Sequence, residues 1–344
     1  MNSDTYKAAI FRGAGSVDVV ALPFPKCGDD EVIVRNLMTG VCGSDIAAYR
    51  RGGDLNMIWK DHEFGHEAVS EVVQIGKDVK GLELGDHIFP HLGYALRDRN
   101  RMSTVGGFSQ YIKILQCEVG YSLFKIDNSI PTRTAVLVEP FVIGTRGAKN
   151  LNPGPDKSAI VFGAGIIGMS AAIMLDWLGC SKVMIVDISE ARLENARKFG
   201  LVTCNPEKED LQAKACAEFG SHAGQGGERC NANTYLDAIG MKAAIDNFIM
   251  LAGRDSTLAI VGAHHEPVPL NLRQVSLMNW KIIGCGSAPT QEAIVDVLAM
   301  MKSEKYQLSS LVTHEYPIDR ISDALIMGGN AREAQKVVIN FDTV

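Results

Sequence analysis

The apolar run Ala159 to Phe162 leads straight into Gly163-Ala164-Gly165-Ile166-Ile167-Gly168, which opens a longer apolar stretch, Ile167 to Leu178. A further run, Val183 to Val186, ends at Asp187. Three glycines in this spacing are weak evidence alone, because glycine is common. Set between a strand and a helix, and followed by a second strand with an acidic residue at its end, they specify a βαβ unit built to hold a dinucleotide. Gly163 permits the tight turn, Gly165 lets the backbone approach a pyrophosphate, and Gly168 lets helix and strand pack closely. The phosphates then meet the positive end of the helix and its free N–H groups. Asp187 accepts hydrogen bonds from both ribose hydroxyls and repels a 2′-phosphate, which favours NAD over NADP.

The alternation continues. Ala191 to Phe199 reads as a helix, and Tyr235 to Ala238, Leu258 to Val261 and Lys281 to Ile283 as strands, which predicts an α/β, doubly wound parallel sheet over residues 150–286. The preceding stretch is strand-rich instead. Val32 to Val34, Glu67 to Ile75 and Tyr111 to Ile114 are runs with β-branched residues, separated by turns such as Gly85-Asp86. The tail carries one amphipathic helix, Ala293 to Met301, and a last strand, Lys336 to Ile339. At 344 residues, 46% of them hydrophobic, the chain has enough apolar material for two cores. A net charge of −6 gives no electrostatic reason to expect nucleic acid or an anionic membrane as partner. No apolar run approaches the roughly 20 residues of a membrane helix. The N-terminus reads as mature protein rather than a signal peptide, so a cytoplasmic location is expected.

The eight cysteines are scattered, with no CxxC pair, and read as reduced thiols. His62-Glu63-Phe64-Gly65-His66 matches the HExxH pattern of zinc proteases. That chemistry needs both histidines one turn apart on a helix. Gly65 disfavours a helix, and Ala68 to Val73 reads as a strand, so the match is coincidental. A second constellation fits metal chemistry better: Cys42 within Val41-Cys42-Gly43-Ser44-Asp45, and His66 within Gly65-His66-Glu67. A thiolate, an imidazole and carboxylates suit a catalytic zinc, although a cysteine and a histidine at this separation are more often unrelated. The other histidines, His62, His87, His91, His222, His264, His265 and His314, lack a partner pattern and read as structural or exposed.

The strings Gly-Val-Cys-Gly-Ser-Asp (40–45), Gly-His-Glu (65–67), Val-Glu-Pro (138–140) and Gly-Ala-Gly-Ile-Ile-Gly (163–168) occur in this order. In that ordered set the chain resembles the zinc-containing medium-chain dehydrogenases, nearest their polyol (sorbitol-type) and threonine dehydrogenase branches, over nearly its whole length. The resemblance implies a GroES-like, partly open β-barrel catalytic domain, residues 1–149 and 287–344, around an inserted Rossmann domain, residues 150–286. It implies one catalytic zinc held by Cys42, His66 and Glu67, with Glu139 as a further ligand, bound directly or through water. It makes Asp45 the acceptor that orients His66, and Ser44 the hydroxyl that takes the substrate's proton. On the coenzyme side it implies NAD contacts from Ile167, Arg192, Val261, Gly262, Ala263, Gly286, Ser287 and Ala288, beside the glycine turn and Asp187. The implied activity is hydride transfer between NAD and a secondary alcohol of a polyol or sugar, in a homo-oligomer (dimer or tetramer).

Some positions depart from the family. The lobe that carries a second, structural zinc in many relatives is reduced to the twenty residues His87 to Gly106, none of them cysteine, so a single zinc is expected. A proton-relay histidine is replaced by Ala47, an active-site tyrosine by Ala48 and a substrate-facing arginine by Ser287. Arg50-Arg51 and the cluster Arg97, Arg99 and Arg101 can meet a sugar phosphate or acid, though solvated loop charges or subunit contacts are the plainer reading. An amino alcohol or a sugar phosphate is therefore the alternative substrate class. A zinc-free relative that only binds a dinucleotide is the alternative of another kind.

Overall fold

A computed structural model describes residues 4–53, 57–224, 227–286 and 290–342. The chain packs as two compact units, Met1–Glu139 with Met301–Val344, and Pro140–Met300.

In the second unit six strands pair in parallel, in the order Val202–Cys204, Lys182–Val186, Ser158–Phe162, Thr234–Asp237, Thr257–Ile260, Lys281–Gly284. This is the expected doubly wound sheet. Its central strands are buried along most of their length, as parallel strands covered on both faces must be. Helices Ile166–Trp177, Glu190–Lys198, Leu211–Phe219 and Lys242–Leu251 connect them. Phe162, Tyr235, Phe248 and Trp280 form a run of ring contacts through one core layer. Strand order reverses between Ser158–Phe162 and Thr234–Asp237. In such sheets the crevice beyond the carboxyl ends of the strands at this point is where ligands bind.

Among the described residues the strands of the first unit pair mostly antiparallel. Strand Val32–Gly40 is its axis, pairing with Glu67–Ile75, Tyr111–Ile114 and Lys336–Asn340. His87–Pro90, Leu123–Ile126 and Val312–Tyr316 extend the sheet, the last pairing in parallel with Lys336–Asn340. Thr5–Gly13, Ser16–Pro23 and His62–Glu63 form a second, smaller sheet. One apolar core gathers Val32, Val34, Val72, Ile88, Ile112 and Leu123. A second joins Phe11, Phe64 and Phe108 to Ile321 and Leu325 of helix Ile321–Gly328 and to Val337 and Ile339. The tail strand thus lies beside Val32–Gly40 because its apolar residues complete that core.

One reading holds here and another changes. His62-Glu63 is a strand paired with Ile10 and Phe11, and the buried Glu63 is bound by Arg101 at 2.7 Å and by Ser109 at 3.1 Å, so the HExxH pattern has no helix and no free glutamate. Arg97 and Arg101 of the shortened lobe are not solvated charges, whereas Arg99 is exposed beside the Trp59 ring. Arg101 serves Glu63 and the Tyr6 hydroxyl. Arg97 donates to the carbonyls of Ala95 and Ser103 at 3.3 and 2.9 Å, closing a loop that has no metal ligands to organise it.

Candidate active site

The candidate metal-ligating residues stand where two strands of the first unit end and begin. Strand Val32–Gly40 runs out at Val41, and Cys42 caps helix Gly43–Arg51 with extended backbone, φ −88° and ψ 157°. The Asp45 carboxylate accepts the Cys42 N–H at 2.9 Å, and the Cys42 sulfur accepts the Asp45 N–H, so the thiol is held in place by its own helix turn. His66 follows Gly65, whose φ of +91° favours glycine and whose missing Cβ would stand 2.8 Å from the Phe108 nitrogen. Glu67 begins strand Glu67–Ile75, directly opposite Gly40. Donor atoms of Cys42, His66 and Glu67 lie within 4.8 Å of one another, a separation that suits three ligands of one ion. Among the described residues no other trio of His, Cys, Asp and Glu side chains converges in this way.

The electrostatics suit a bound cation. Nδ1 of His66 and Oδ1 of Asp45 are buried without a hydrogen bond among the described residues and face each other at 3.8 Å. Burial, only partly offset by His66 and the Cys42 N–H, raises the Asp45 pKa to about 6. Loss of water, and then the neighbouring Glu67 carboxylate, pushes Glu139 upward as well. Burial works against the His66 charge, but Cys42 and Asp45 outweigh it and raise its pKa. A thiol and three carboxyl groups crowded into low dielectric are short of positive charge, and a dication would relieve all of them. Glu139 lies outside the tight trio, close enough to sense Glu67, His66 and Lys336.

Sequence reasoning missed one member of this site. Lys336, the first residue of the last strand, is 2% exposed and ion-pairs with Glu67. Its ammonium also donates to the Val41 carbonyl at 2.9 Å. The pair crosses the backbone of Gly40, where a Cβ would fall 2.7 Å from Cε of Lys336 and closer still to Glu67. Gly40 is therefore glycine because two side chains occupy the space above it. Ser44 is half-buried, in the first turn of helix Gly43–Arg51.

The second unit holds the glycine turn. Gly163 has φ +99°, Gly165 caps helix Ile166–Trp177, and a Cβ on Gly168 would strike the Gly163 carbonyl at 1.8 Å. Over Gly165 the nearest atom to an added Cβ is a guanidinium nitrogen of Arg192, at 3.7 Å, so the cap is open to a ligand. Asp187 follows strand Lys182–Val186, and its carboxylate takes the N–H groups of Ala164 at 2.7 Å and Ser189 at 2.8 Å. Those bonds tie the acidic residue to the glycine turn itself. Arg192 is pulled down in pKa by burial, against the Asp187 charge. Ile167 is half-buried in the first turn of the helix. Val261, Gly262 and Ala263 follow strand Thr257–Ile260, against the backbone of Gly240. Gly286 is anchored through its carbonyl by Arg146. Ser287 and Ala288 lie outside the described residues.

The sequence matches two family models, an alcohol dehydrogenase GroES-like domain over residues 28–120 and a zinc-binding dehydrogenase over residues 167–303. It is 24% identical to sorbitol dehydrogenase of Gallus gallus over 336 residues, covering 92% of this chain and 91% of that one. It is 27% identical to L-galactonate-5-dehydrogenase of Escherichia coli (strain K12), covering 93% and 94%. Among solved structures, 2R,3R-butanediol dehydrogenase from Bacillus subtilis superposes with TM-score 0.82 at 20% identity, over 97% of this chain and 99% of that one. Galactitol-1-phosphate dehydrogenase from Escherichia coli gives TM-score 0.81 at 21% identity over the same shares. At these identities the structural likeness establishes the fold.

Proposed function

The chain belongs to the zinc-containing medium-chain dehydrogenase family, in its polyol-type branch, and from that premise we propose that it oxidises a secondary hydroxyl of a polyol or sugar to a ketone with NAD as acceptor. The observation that carries the reading is the convergence of Cys42, His66 and Glu67 in a pocket short of positive charge. A relative that only binds a dinucleotide has no need of it.

Zinc and NAD, when bound, supply the Lewis acidity that lets an alcohol lose its proton near neutral pH and the acceptor for the hydride that leaves the same carbon. Cys42, His66 and Glu67 would hold the ion, with Glu139 as a further ligand, directly or through water. Asp45 fixes the Cys42 turn and faces the His66 ring. Ser44 receives the hydroxyl proton and passes it outward, water taking the place of the relay residue at Ala47. In the other unit Gly163, Gly165 and Gly168 would cradle the pyrophosphate, Asp187 would take the ribose hydroxyls, and Ile167, Arg192, Val261, Gly262, Ala263 and Gly286 would line the rest of the coenzyme. The first unit is the catalytic domain and the second the NAD-binding domain.

A neutral polyol suits the site better than a sugar phosphate, since Arg97 and Arg101 are committed to internal partners. Lys281, Ile282 and Gly284 are exposed on the edge strand of the parallel sheet. An open apolar edge of this kind invites a second copy, and a homo-oligomer is the proposed assembly. Among the described residues no helix is long and apolar enough to cross a membrane. The eight cysteines are unpaired, which suits the reducing cytoplasm as the location.

Protein purified without chelator is expected to carry about one zinc per chain by elemental analysis, and to lose metal and NAD-dependent polyol oxidation together on dialysis against a chelator. Absence of zinc after metal is added back would overturn the proposal. A substrate panel decides the class: turnover of threonine or a phosphorylated sugar, with none of free polyols, reverses the preference. Asp187→Ala is expected to weaken NAD binding by about 10-fold or more, since hydrogen bonds to a charged group are lost, and to narrow the margin over NADP. Isothermal titration with both coenzymes measures this, and an unchanged preference would remove Asp187 from the ribose.

A further inference from the structure

Asp237 ends strand Thr234–Asp237 and is fully buried. Its carbonyl accepts the N–H groups of Val261 and Gly262, each at 2.9 Å. Its Oδ1 accepts those of Ile239 at 2.8 Å and Gly240 at 3.0 Å. Its Oδ2 meets Nε2 of His264 at 2.7 Å. One residue thereby joins the loop after its own strand to the loop after the next strand, Thr257–Ile260. The two loops touch backbone to backbone. A Cβ on Gly262 would fall 2.1 Å from the Gly240 nitrogen, and one on Gly240 would fall 2.5 Å from the Ala263 carbonyl oxygen. Ile239 in turn presses on the glycine turn, 2.8 Å from where a Gly163 Cβ would be.

We propose that His264 is a positioning residue for the coenzyme: through Asp237 it locks the loops 238–240 and 261–263 into the surface on which the dinucleotide lies. This rests on the NAD reading above. His264 sits at the outer end of the lock, with its side chain 19% exposed, and its ring lines an apolar cavity of about 330 Å³ beside Leu258 and Ile260. Asp237 is therefore the polar partner that sets the ring's orientation. Without the imidazole, Oδ2 of a fully buried carboxylate is left unpaired, and the carboxylate is drawn to turn away from the loops it organises. The lock acts on the two loops alone, so its effect belongs to coenzyme affinity rather than to the chemical step.

The test compares wild type, His264→Ala and His264→Gln, the last keeping an N–H donor for Asp237. Two readouts are used: amide hydrogen exchange in the coenzyme-free protein, and NADH binding by fluorescence titration alongside kcat at saturating NAD. In His264→Ala, exchange at 239–240 and 261–263 is expected to quicken by about 10-fold, with strand Val32–Gly40 unchanged, and NADH to bind about 10-fold more weakly, the worth of one hydrogen bond to a charged group. The kcat stays within about 2-fold, because binding shared equally by ground and transition states moves affinity alone. His264→Gln recovers most of both losses. Unchanged exchange in the two loops overturns the proposal, as does faster exchange with NADH affinity intact. Should His264→Ala fail to fold, His264→Gln behaving as wild type while His264→Phe loosens both loops supports it, and equal behaviour of the two overturns it. If wild type binds no NADH yet the two loops still loosen, the lock stands and the dinucleotide reading falls.

Discussion

Cys42→Ser is expected to abolish zinc retention and polyol oxidation while NADH binds as in wild type. The side chain is nearly isosteric, so the helix cap survives: a serine oxygen can accept the Asp45 N–H, and the Asp45 carboxylate still takes the residue 42 N–H. What changes is the donor. A thiol sheds its proton to a dication readily and a hydroxyl does not, so the charge balance of the pocket worsens as the soft ligand disappears. Loss of an outer-shell partner typically lowers metal affinity or activity 10–100-fold, and loss of a ligand itself should exceed about 100-fold. NADH binding is unaffected because every coenzyme contact proposed above lies in Pro140–Met300, the other compact unit. The measurement is paired: zinc by elemental analysis and NADH by fluorescence titration on one preparation. Normal turnover would remove Cys42 from the metal. Loss of both zinc and NADH binding would point to misfolding instead.

Most of the fold was legible because its signals are local. Strand Glu67–Ile75 and strand Tyr111–Ile114 have the limits their β-branched runs indicate. The helix expected from Ile167 begins one residue earlier, at Ile166, because Gly165 is its cap. What escaped was set by pairing across the chain. Lys336 opens the run Lys336-Val337-Val338-Ile339 and looks like a solvated flank. It is buried because its strand lies against Val32–Gly40, which brings its ammonium to a carbonyl 295 residues away in sequence. One sequence signal pointed there: Gly40, a glycine closing a strand, where the missing side chain leaves room for close approach by other atoms. His264 was read as a histidine without a pattern, because its partner Asp237 ends a different strand and only the parallel register between Thr234–Asp237 and Thr257–Ile260 brings them together. Asp45, expected to orient His66, takes the Cys42 N–H with Oδ2 and faces the imidazole with Oδ1 at 3.8 Å. The bond to Cys42 is the capping geometry of a four-residue turn, which the sequence reading did not foresee.

Lys336→Met should have the largest effect on stability of any single change at this site. The substitution keeps the unbranched stem and removes only the ammonium, leaving Glu67, 1% exposed at its side chain, without its ion-pair partner. Breaking a buried pair from one side destabilises by roughly 3–5 kcal/mol, whereas replacing both members by neutral groups is often close to neutral. Glu67→Gln combined with Lys336→Met is therefore expected to regain most of the stability lost by Lys336→Met alone, as followed by urea denaturation of the zinc-free proteins. The same argument couples the lysine to the metal. In the zinc-free chain the ammonium is the cation that Glu67 faces, and zinc binding adds a second. A protein lacking the ammonium has more to gain from the ion, so zinc should raise the melting temperature of Lys336→Met by more than it raises that of wild type. The double variant, with no charged carboxylate at position 67, should show a smaller rise than Lys336→Met. Equal zinc-induced shifts in wild type and Lys336→Met would mean that Glu67 does not feel the ion, leaving Cys42, His66 and Glu139 to hold it.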